Sequence, residues 1–410
     1  MEAIVERCCG LDVHQETVVA CVIQGTAGRR PTKEVRTFRT VTRELAALRA
    51  WLEGAGVTHV GMESTGIYWV PVFRALEGGF DLVVGNASHI KNVPGRKTDV
   101  KDSEWIAELV RHGLIRRSFV PPPAIRELRD LTRYRRKLVE DQVRERNRIQ
   151  KLLETASIKL ASVMSDVLGV SGRAMLTALI AGERDPAVLA GLAKGRLRAK
   201  IPALVEALEG RFEAHHQFLL DFELRRLVAA ERALTDLDAH IESKLAPYQD
   251  QLALLVQIPG VERVTAVAII AELGVDMSVF PSAHHATAWA GASPGNRESA
   301  GRHRPAPARK GNVHLLTTLV QAAICSSHQR GSYLRERYRR LKARRGPKRA
   351  AVAVARTILV AVYHMLRDGR PYHDLGADHL KRHAGAHQRR HHVKALEAMG
   401  YHVTLEQAPT

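Results

Sequence analysis

The chain has 410 residues, which is long enough for two or three domains that each bury a sizeable core. An apolar share of 45% with 5% aromatic residues is ordinary for a helix-rich globular protein and excludes a disordered or low-complexity chain. No segment has the unbroken apolar length that a membrane span needs, and the N-terminus lacks a signal-peptide pattern. We therefore expect a cytoplasmic protein without a membrane.

Charge is the strongest bulk property of the sequence. The formal net charge is +19 and the sequence pI is about 10.2, which favours polyanionic partners such as nucleic acid or acidic lipid. Between residues 301 and 350 the chain carries fourteen Lys or Arg residues and a single acid, Glu336. This clustering favours nucleic acid. The four cysteines contain no Cys-x-x-Cys pair, and we interpret them as buried small apolar residues in a reducing compartment, not as zinc ligands.

The first 121 residues predict an α/β domain that ends near Pro121. Its predicted elements are two strands within 4–23, a third strand over 33–40, a helix over 43–53, a strand that ends at Glu63, a helix over 68–76, a strand over 81–84, and a helix that begins near Asp102. Three strands, a helix and then alternating strands and helices is the order of a ribonuclease-H-like domain. In that fold the first and fourth strands are parallel neighbours, which would bring Asp12 near Glu63.

Four acids form the candidate metal site. Asp12 follows an apolar run in the first strand, Glu63 ends the fourth, and Asp99 and Asp102 are three residues apart at a helix start, on one face. Taken alone, Asp12, Asp99 or Asp102 is better explained as a turn or helix-cap residue. Together they match the hard oxygen ligands that hold Mg²⁺ or Mn²⁺ in phosphoryl-transfer enzymes.

Two lysines flank the pair of acids at the helix start. Lys97 and Lys101 are candidates for contacts with the DNA backbone, although such lysines are more often simply solvated.

Residues 122–250 predict a long-helix region. A charged helix over 125–154 has a narrow apolar stripe, and leucines or isoleucine recur every seven residues over 212–245 at Leu220, Leu227, Leu234 and Ile241. This repeat predicts either an antiparallel helical hairpin or an intermolecular coiled coil, and the region would serve oligomerisation.

Residues 251–370 predict a small helical domain. The run Ile258-Pro-Gly260-Val resembles a helix-hairpin-helix turn, whose backbone N–H groups bind a DNA phosphate. A Pro- and Gly-rich loop follows, with Ser299 between Arg297 and Arg302 and with Arg304 close behind. An ordinary loop serine would look the same, but guanidinium groups would stabilise a phosphate placed there.

A basic run over 335–349 is interpreted as binding phosphates of DNA or RNA, and a merely exposed helix face is the less favoured alternative. Its candidate nucleic-acid-binding residues are Arg339, Arg340, Arg344 and Arg345. Residues 371–410 are basic and His-rich, and we interpret them as a surface tail without a metal.

Several motifs of the chain together resemble a known family, the DEDD-type insertion-sequence transposases of the IS one-ten family. The matching motifs are Gly10-Leu-Asp12-Val-His14, Met62-Glu63-Ser-Thr-Gly66, Lys97-Thr-Asp99-Val-Lys101-Asp102, Ile258-Pro-Gly-Val, Ala290-Gly-Ala-Ser-Pro294, Glu298-Ser299-Ala-Gly301 and Lys310-Gly-Asn312. They follow the order that the family has. One departure is Ala300, because the family often has Ser-Ser-Gly around its nucleophile.

The resemblance implies an N-terminal domain like that of a Holliday-junction resolvase, with Asp12, Glu63, Asp99 and Asp102 as metal ligands. It implies that Ser299 attacks a DNA phosphate and forms a transient phosphoserine link, and that Lys310 belongs to the DNA-binding set. It also implies a guide RNA from the element's ends and a homo-oligomer, dimer or tetramer, in which the two sites combine across subunits.

The residues leave two other functions open. One is a metal-dependent junction resolvase or nuclease in which Ser299 is incidental. The other is a nucleic-acid-binding protein that keeps the fold and the basic surface without catalysis. Substitutions of Ser299 and Asp12 separate the three possibilities.

Overall fold

A computed structural model describes residues 3–26, 30–94, 101–295, 298–299, 301–303, 311–380 and 392–404. The chain divides into two compact units, Met1–Val120 and Pro121–Thr410. The first unit is mixed α/β with a five-stranded sheet, and the second is almost entirely helical.

The first unit has the predicted order of strands and helices. Its elements are β1 (Arg7–Val13), β2 (Thr17–Gln24), β3 (Thr32–Arg39), α1 (Thr42–Gly54), β4 (His59–Glu63), α2 (Trp69–Leu76), β5 (Asp81–Gly85), α3 (Ala87–Lys91) and α4 (Asp102–Arg111). The short α3 was not predicted. Asn86 caps it, since the Asn86 side chain accepts a hydrogen bond from the Ser88 N–H at 2.9 Å.

The sheet has the strand order β3-β2-β1-β4-β5. Strand β1 is antiparallel to β2 and parallel to β4, as the sequence predicted, and β4 is parallel to β5. Apolar side chains fill both faces: Leu11 and Met62 lie in the core with α1 and α2, whereas Cys8 and Val83 lie in the core with α4. The strands other than β3, which is mostly exposed, are therefore covered on both sides, and their functional groups have to lie at strand ends.

Two paired glycines let α4 approach the middle of this sheet. Gly10 of β1 is directly opposite Gly61 of β4 in the parallel register. A Cβ at residue 10 would overlap backbone atoms of Ser103 and Ala107, and a Cβ at residue 61 would overlap the Val110 side chain. The helix therefore lies closer to the strands than any larger residue would permit.

Three of the four cysteines match their predicted role. Cys8, Cys9 and Cys21 are free and fully buried in the sheet. Burial raises the pKa of the Cys8 thiol to about 12 and that of the Cys21 thiol to about 11, so both stay protonated at neutral pH. Cys325 is different: it is exposed, because it lies on the outer side of its helix.

In its described residues, the second unit contains helices and one very short hairpin. Its elements are α5 (Pro123–Thr155), α6 (Leu160–Val163), α7 (Val170–Ile180), α8 (Pro186–Gly191), α9 (Ile201–Leu208), α10 (Ala214–Lys244), α11 (Gln249–Leu255), α12 (Arg263–Leu273), α13 (Ala283–Trp289), β6 (Glu298–Ser299), β7 (Arg302–His303), α14 (Val313–Ser326), α15 (Tyr333–Arg345) and α16 (Pro347–Asp368). Short 3₁₀ helices span Gly195–Lys200, Ala246–Tyr248 and Met277–Val279.

The two long helices, α5 and α10, form an antiparallel pair within one chain. Contacts between them run in opposite directions along the chain: Lys244 to Glu127 at 2.8 Å, Arg135 to Asp238 at 2.5 Å and Arg226 to Glu145 at 2.7 Å. Of the heptad positions, Leu220, Leu227 and Ile241 are buried. The hairpin, one of the two predicted alternatives, is what the structure contains; whether α5 and α10 also pair between chains stays a prediction.

One helix corrects a statement made from the sequence. Helix α16 is 22 residues long and is long and apolar enough to cross a membrane by length and composition. Half of its most apolar window is buried inside the protein, and residues such as Val354, Ile358 and Val362 are fully enclosed. Its apolar character is therefore accounted for by its place in the core of the second unit.

Candidate active site

The carboxyl ends of β1 and β4 bring two of the predicted acids to one edge of the sheet. In the parallel register Leu11 pairs with Met62, so that Asp12 and Glu63 follow as the next residues of neighbouring strands. Glu63 is the last residue of β4, and both acids are partly buried. Asp12 and Glu63 are close because β1 and β4 are parallel. In an antiparallel pair the carboxyl ends of the two strands would lie at opposite edges of the sheet.

Helix α4 brings the third acid to the same edge. Asp102 is the first residue of α4 and is exposed, and the next residue, Ser103, lies against the Gly10 backbone. Asp102 thus begins the helix close enough for its charge to act on Asp12, with Lys101 as the exposed N-cap residue. Asp99 and Lys97 lie outside the described residues, and their assignments stay predictions.

The electrostatics of Asp12 reflect this crowding of carboxylates. Burial raises the pKa of the Asp12 carboxyl above its ordinary value, and the negative charges of Asp102 and Glu63 raise it further, against the opposing effect of His14. The His14 Nε2 atom lies 3.2 Å from Asp12 Oδ2. Negative charges crowded around Asp12 are an unfavourable arrangement that a divalent cation would relieve, and the carboxylate oxygens are the hard donors that Mg²⁺ and Mn²⁺ prefer. The described acids fit such an ion.

The loop after Glu63 adds features that the sequence reasoning missed. The Thr65 hydroxyl donates to the Glu63 carboxylate, and the Tyr68 hydroxyl is 3.4 Å from Gln15 Oε1, in the turn that follows β1. The Ile67 side chain in this loop is 75% exposed. The signal that could have revealed this loop is the apolar pair Ile67-Tyr68 directly after a Ser-Thr-Gly turn.

The serine segment forms a two-stranded hairpin in the second unit. Strand β6 carries Ser299, whose backbone pairs with Arg302 of β7, and Gly301 turns the chain with φ of +71°. That left-handed conformation suits glycine. Arg302 is exposed. Arg297, Arg304 and Lys310 lie outside the described residues, so their assignments stay predictions.

Gly260 has a structural role that the sequence did not reveal. It lies between α11 and α12, with φ of +84°, and a Cβ there would overlap backbone atoms of Ala322 and Ser326 in α14. Both observations require glycine whether or not a phosphate binds. The contact of Gly260 with nucleic acid stays a prediction.

The predicted basic run is mostly a helix with an outward charged face. Helix α15 contains Arg339, Arg340, Arg344 and Arg345, all exposed. Arg339 pairs with Glu336 at 3.2 Å, and Arg340 donates to the Leu380 carbonyl at 3.3 Å. Of the four histidines spaced every four residues in the tail, His379 is described and stacks edge-on against Tyr333, whereas His383, His387 and His391 lie outside the described residues.

A second group of possible metal ligands lies elsewhere, at the start of α10. Glu213, His215 and His216 have ligand atoms within 4.8 Å of one another. Two of these side chains close a capping box, in which the Glu213 N–H donates to His216 Nδ1 at 3.1 Å. Helix capping accounts for the arrangement, and we assign no metal to it.

Comparisons with known proteins link both units to insertion elements. A transposase family model for DEDD-type IS110 proteins matches residues 9–158, and the model of the IS116/IS110/IS902 transposase family matches residues 252–339. The chain is similar to an uncharacterized 44.8 kDa protein of insertion element IS116 from Streptomyces clavuligerus, with 26% identity over 70% of this chain and 79% of that protein. It is also similar to an uncharacterized 43.6 kDa protein of insertion element IS110 from Streptomyces coelicolor, with 28% identity over 68% of this chain and 73% of that protein. The residues matched by the first family model include the acids at the sheet edge, and those matched by the second family model include Ser299.

Proposed function

This chain belongs to the IS110 family of insertion-sequence transposases, and from that membership we propose that it cuts and rejoins DNA by metal-assisted phosphoryl transfer with Ser299 as the nucleophile. Transposases as a class bind, cut and rejoin DNA. The observation that carries the finer proposal is the parallel pairing of β1 and β4, which puts Asp12 and Glu63 at one edge beside Asp102.

The proposal assigns the acids to a divalent ion. Asp12, Glu63 and Asp102, with Asp99 as the expected fourth ligand, would hold Mg²⁺ or Mn²⁺. When bound, such an ion polarises a phosphate oxygen and offsets the charge that develops there. The family membership supports divalent-metal use, and the raised pKa of Asp12 supports a site that gains from a cation.

The chain's own residues would carry the covalent step. The Ser299 oxygen attacks the phosphorus, a bond forms between that oxygen and phosphorus, and the bond from phosphorus to one deoxyribose oxygen breaks. The serine proton is lost to solvent, and the released sugar oxygen takes up a proton, so the step is neither an oxidation nor a reduction. Attack by a sugar hydroxyl on the phosphoserine would reverse the step and rejoin DNA.

The partners follow from charge and family. We propose DNA of the element ends and of the target, a guide RNA, and a homo-oligomer, in the cytoplasm where these nucleic acids meet. The +19 net charge and the exposed arginines of α15 support contacts with phosphates. Sequencing of nucleic acid that copurifies with the protein tests the RNA, and recovery of RNA unrelated to the element would contradict it.

Two substitutions test the chemistry. Asp12→Asn should lower DNA cleavage by about 10²–10³-fold or more, because it removes a charged ligand while it preserves side-chain shape. Chelation with EDTA should have the same effect, and Mn²⁺ binding measured by electron paramagnetic resonance should weaken in the Asp12→Asn protein. Ser299→Ala should abolish both strand transfer and the covalent protein–DNA adduct.

The outcomes also separate the alternatives. Cleavage that survives Ser299→Ala and needs Asp12 would indicate a metal-dependent nuclease or resolvase and would overturn the nucleophile. If the unmodified protein bound DNA but did not cleave it with any divalent ion, it would be a protein that only binds nucleic acid.

A further inference from the structure

The chain before and the chain after the segment that bears Ser299 meet at one place, which we call the neck. Helix α13 ends at Trp289 and α14 begins at Val313. The Asn312 N–H donates to the Trp289 carbonyl at 3.1 Å. A Cβ at Gly311 would overlap backbone atoms of Ala290 and Gly291, so the incoming and outgoing chains touch through their backbones.

A second tie holds the incoming side of the neck. The hydroxyls of Thr287 and Ser293 are 3.0 Å apart, and both side chains are buried. The Ala292 N–H donates to the Thr287 carbonyl at 2.9 Å. These bonds fix where the chain enters the segment, which matters because a reacting oxygen misplaced by about 1 Å can cost about 10²-fold in rate.

Asn312 holds the outgoing side with both ends of its amide. Its Oδ1 atom caps α14 by accepting from the N–H groups of His314 and Leu315, each at 3.1 Å. Its Nδ2 atom donates to Glu272 Oε2 at 2.6 Å. An aspartate could cap the helix equally well but has no donor for Glu272. The neck therefore requires glycine at 311 for the close backbone contact, and asparagine at 312 both to cap α14 and to donate to Glu272.

Glu272 connects this neck to the long helix α5. Its side chain is 3% exposed, and Arg133 of α5 donates to both of its carboxylate oxygens at 2.7 and 2.8 Å. Arg129, one turn earlier in α5, has its Nε atom 3.3 Å from Glu272 Oε2. Burial of a carboxylate costs desolvation energy, and a buried ion pair often adds little net stability. A role in positioning the chain therefore explains the buried Glu272 better than stability does.

We propose that Asn312, Glu272 and Arg133 form a clasp that positions the Ser299 segment and makes helix α5 part of the support of the nucleophile. The clasp rests on the proposed function, because it presumes that Ser299 reacts. None of its three residues touches DNA in this proposal. They are positioning residues that act through the neck. A purely structural role for the same contacts would lower stability without any specific effect on the segment.

The substitution Asn312→Ser isolates the clasp. Serine still caps a helix but is too short to reach Glu272, so capping is kept and the tie is lost. Its matched control is Asp185→Ser, which exchanges the N-cap residue of α8, far along the chain from the serine segment. Both variants are compared with the unmodified protein by limited trypsin digestion, in which mass spectrometry follows cleavage after the exposed Arg302.

The expected result has three parts. Cleavage after Arg302 becomes about tenfold faster in Asn312→Ser and stays unchanged in Asp185→Ser. Formation of the covalent adduct on a duplex with the element's end sequence slows by roughly 10- to 100-fold. The dissociation constant for that duplex changes less than twofold. Arg133→Lys, which cannot make the paired contact with Glu272, should show the same pattern in a weaker form.

Other results overturn the clasp. Equal trypsin cleavage and equal adduct rates in Asn312→Ser, Arg133→Lys and the unmodified protein would do so, even with Ser299 confirmed as the nucleophile. If instead Ser299→Ala still formed the adduct, the proposed nucleophile would be lost, while the digestion experiment would still report on the neck. Should Asn312→Ser fail to fold, Arg133→Lys decides by the same measurements.

Discussion

At the scale of single residues, the motif glycines are as informative as the acids beside them. Gly10 and Gly61 each precede an acid of the candidate site by two residues, and they face each other across β1 and β4. Both are needed because α4 lies directly on them. Asp102 reaches the edge where Asp12 and Glu63 lie because α4 can come this close to the strands.

Because α4 lies so close to β1, we expect one added methyl group to lower stability at Gly10 but not at Gly54. Gly10→Ala should destabilise the protein by at least about 1–3 kcal/mol, because its Cβ overlaps backbone atoms of α4 that cannot rotate away. Gly54→Ala, at the end of α1 with open space around it, should be neutral or stabilise by up to about 1 kcal/mol. Thermal unfolding of both variants measures this. Equal melting temperatures for the two would show that α4 is not held against β1.

At the scale of elements, α5 connects two parts of the second unit. It pairs antiparallel with α10 over its length and also reaches α12 through Arg129 and Arg133. Burial alone would raise the pKa of the Glu272 carboxyl, but the hydrogen bonds from Arg133 and Asn312 and the charge of Arg129 outweigh burial and lower it.

The lowered pKa of Glu272 predicts a specific dependence of stability on pH. A carboxyl with a lowered folded-state pKa stabilises the protein above its ordinary value of 4.5, and this contribution is lost as the pH falls through the folded-state value. Urea unfolding should therefore show Glu272→Gln to be less stable than the unmodified protein by about 1–3 kcal/mol at pH 7, with a difference that shrinks below pH 4.5.

A control for this prediction removes one exposed carboxylate. Glu206→Gln, on α9, should leave the free energy of unfolding within about 0.5 kcal/mol at each pH. A stability difference for Glu272→Gln that stays constant from pH 7 to pH 3 would contradict the lowered pKa.

At the scale of the whole molecule, excess positive charge is the property that most affects binding to polyanions. The exposed arginines at the end of α15 lie on the outer side of the second unit, and the net charge of +19 attracts any polyanion. Charge of this kind strengthens binding to phosphates without the recognition of sequence, so its measurable signature is a dependence on salt.

The salt dependence gives a quantitative prediction for α15. Each lost contact between an arginine and a duplex phosphate flattens the slope of log K against log salt by about 0.9. The double variant Arg344→Gln/Arg345→Gln should therefore flatten the slope by about 1–2. The double variant Arg225→Gln/Arg232→Gln removes the same charge from α10 and is the matched control. Equal slopes for the two double variants would show that α15 makes no special contact with DNA.

Much of the first unit was predictable from local patterns. Short apolar runs bounded by turn residues predicted the strands, periodic leucines predicted the helices, and their order predicted that β1 and β4 are parallel neighbours. The long helices were predictable too, but their pairing was not. The heptad leucines are compatible with a partner in the same chain or in another. The ion pairs between α5 and α10 show the hairpin within one chain, and pairing between chains stays a prediction.

The sequence by itself determined the composition, the periodicities and the motifs, and through them the α/β and helical regions and the acids worth testing. Only the tertiary structure decided that Gly10 and Gly61 face each other under α4, and that Gly260 lies against α14. It also decided that Asn312 reaches Glu272 and, through it, Arg133. The physical reason is that periodicity records which face of an element is apolar, whereas close backbone approaches and buried ion pairs depend on which distant segments meet.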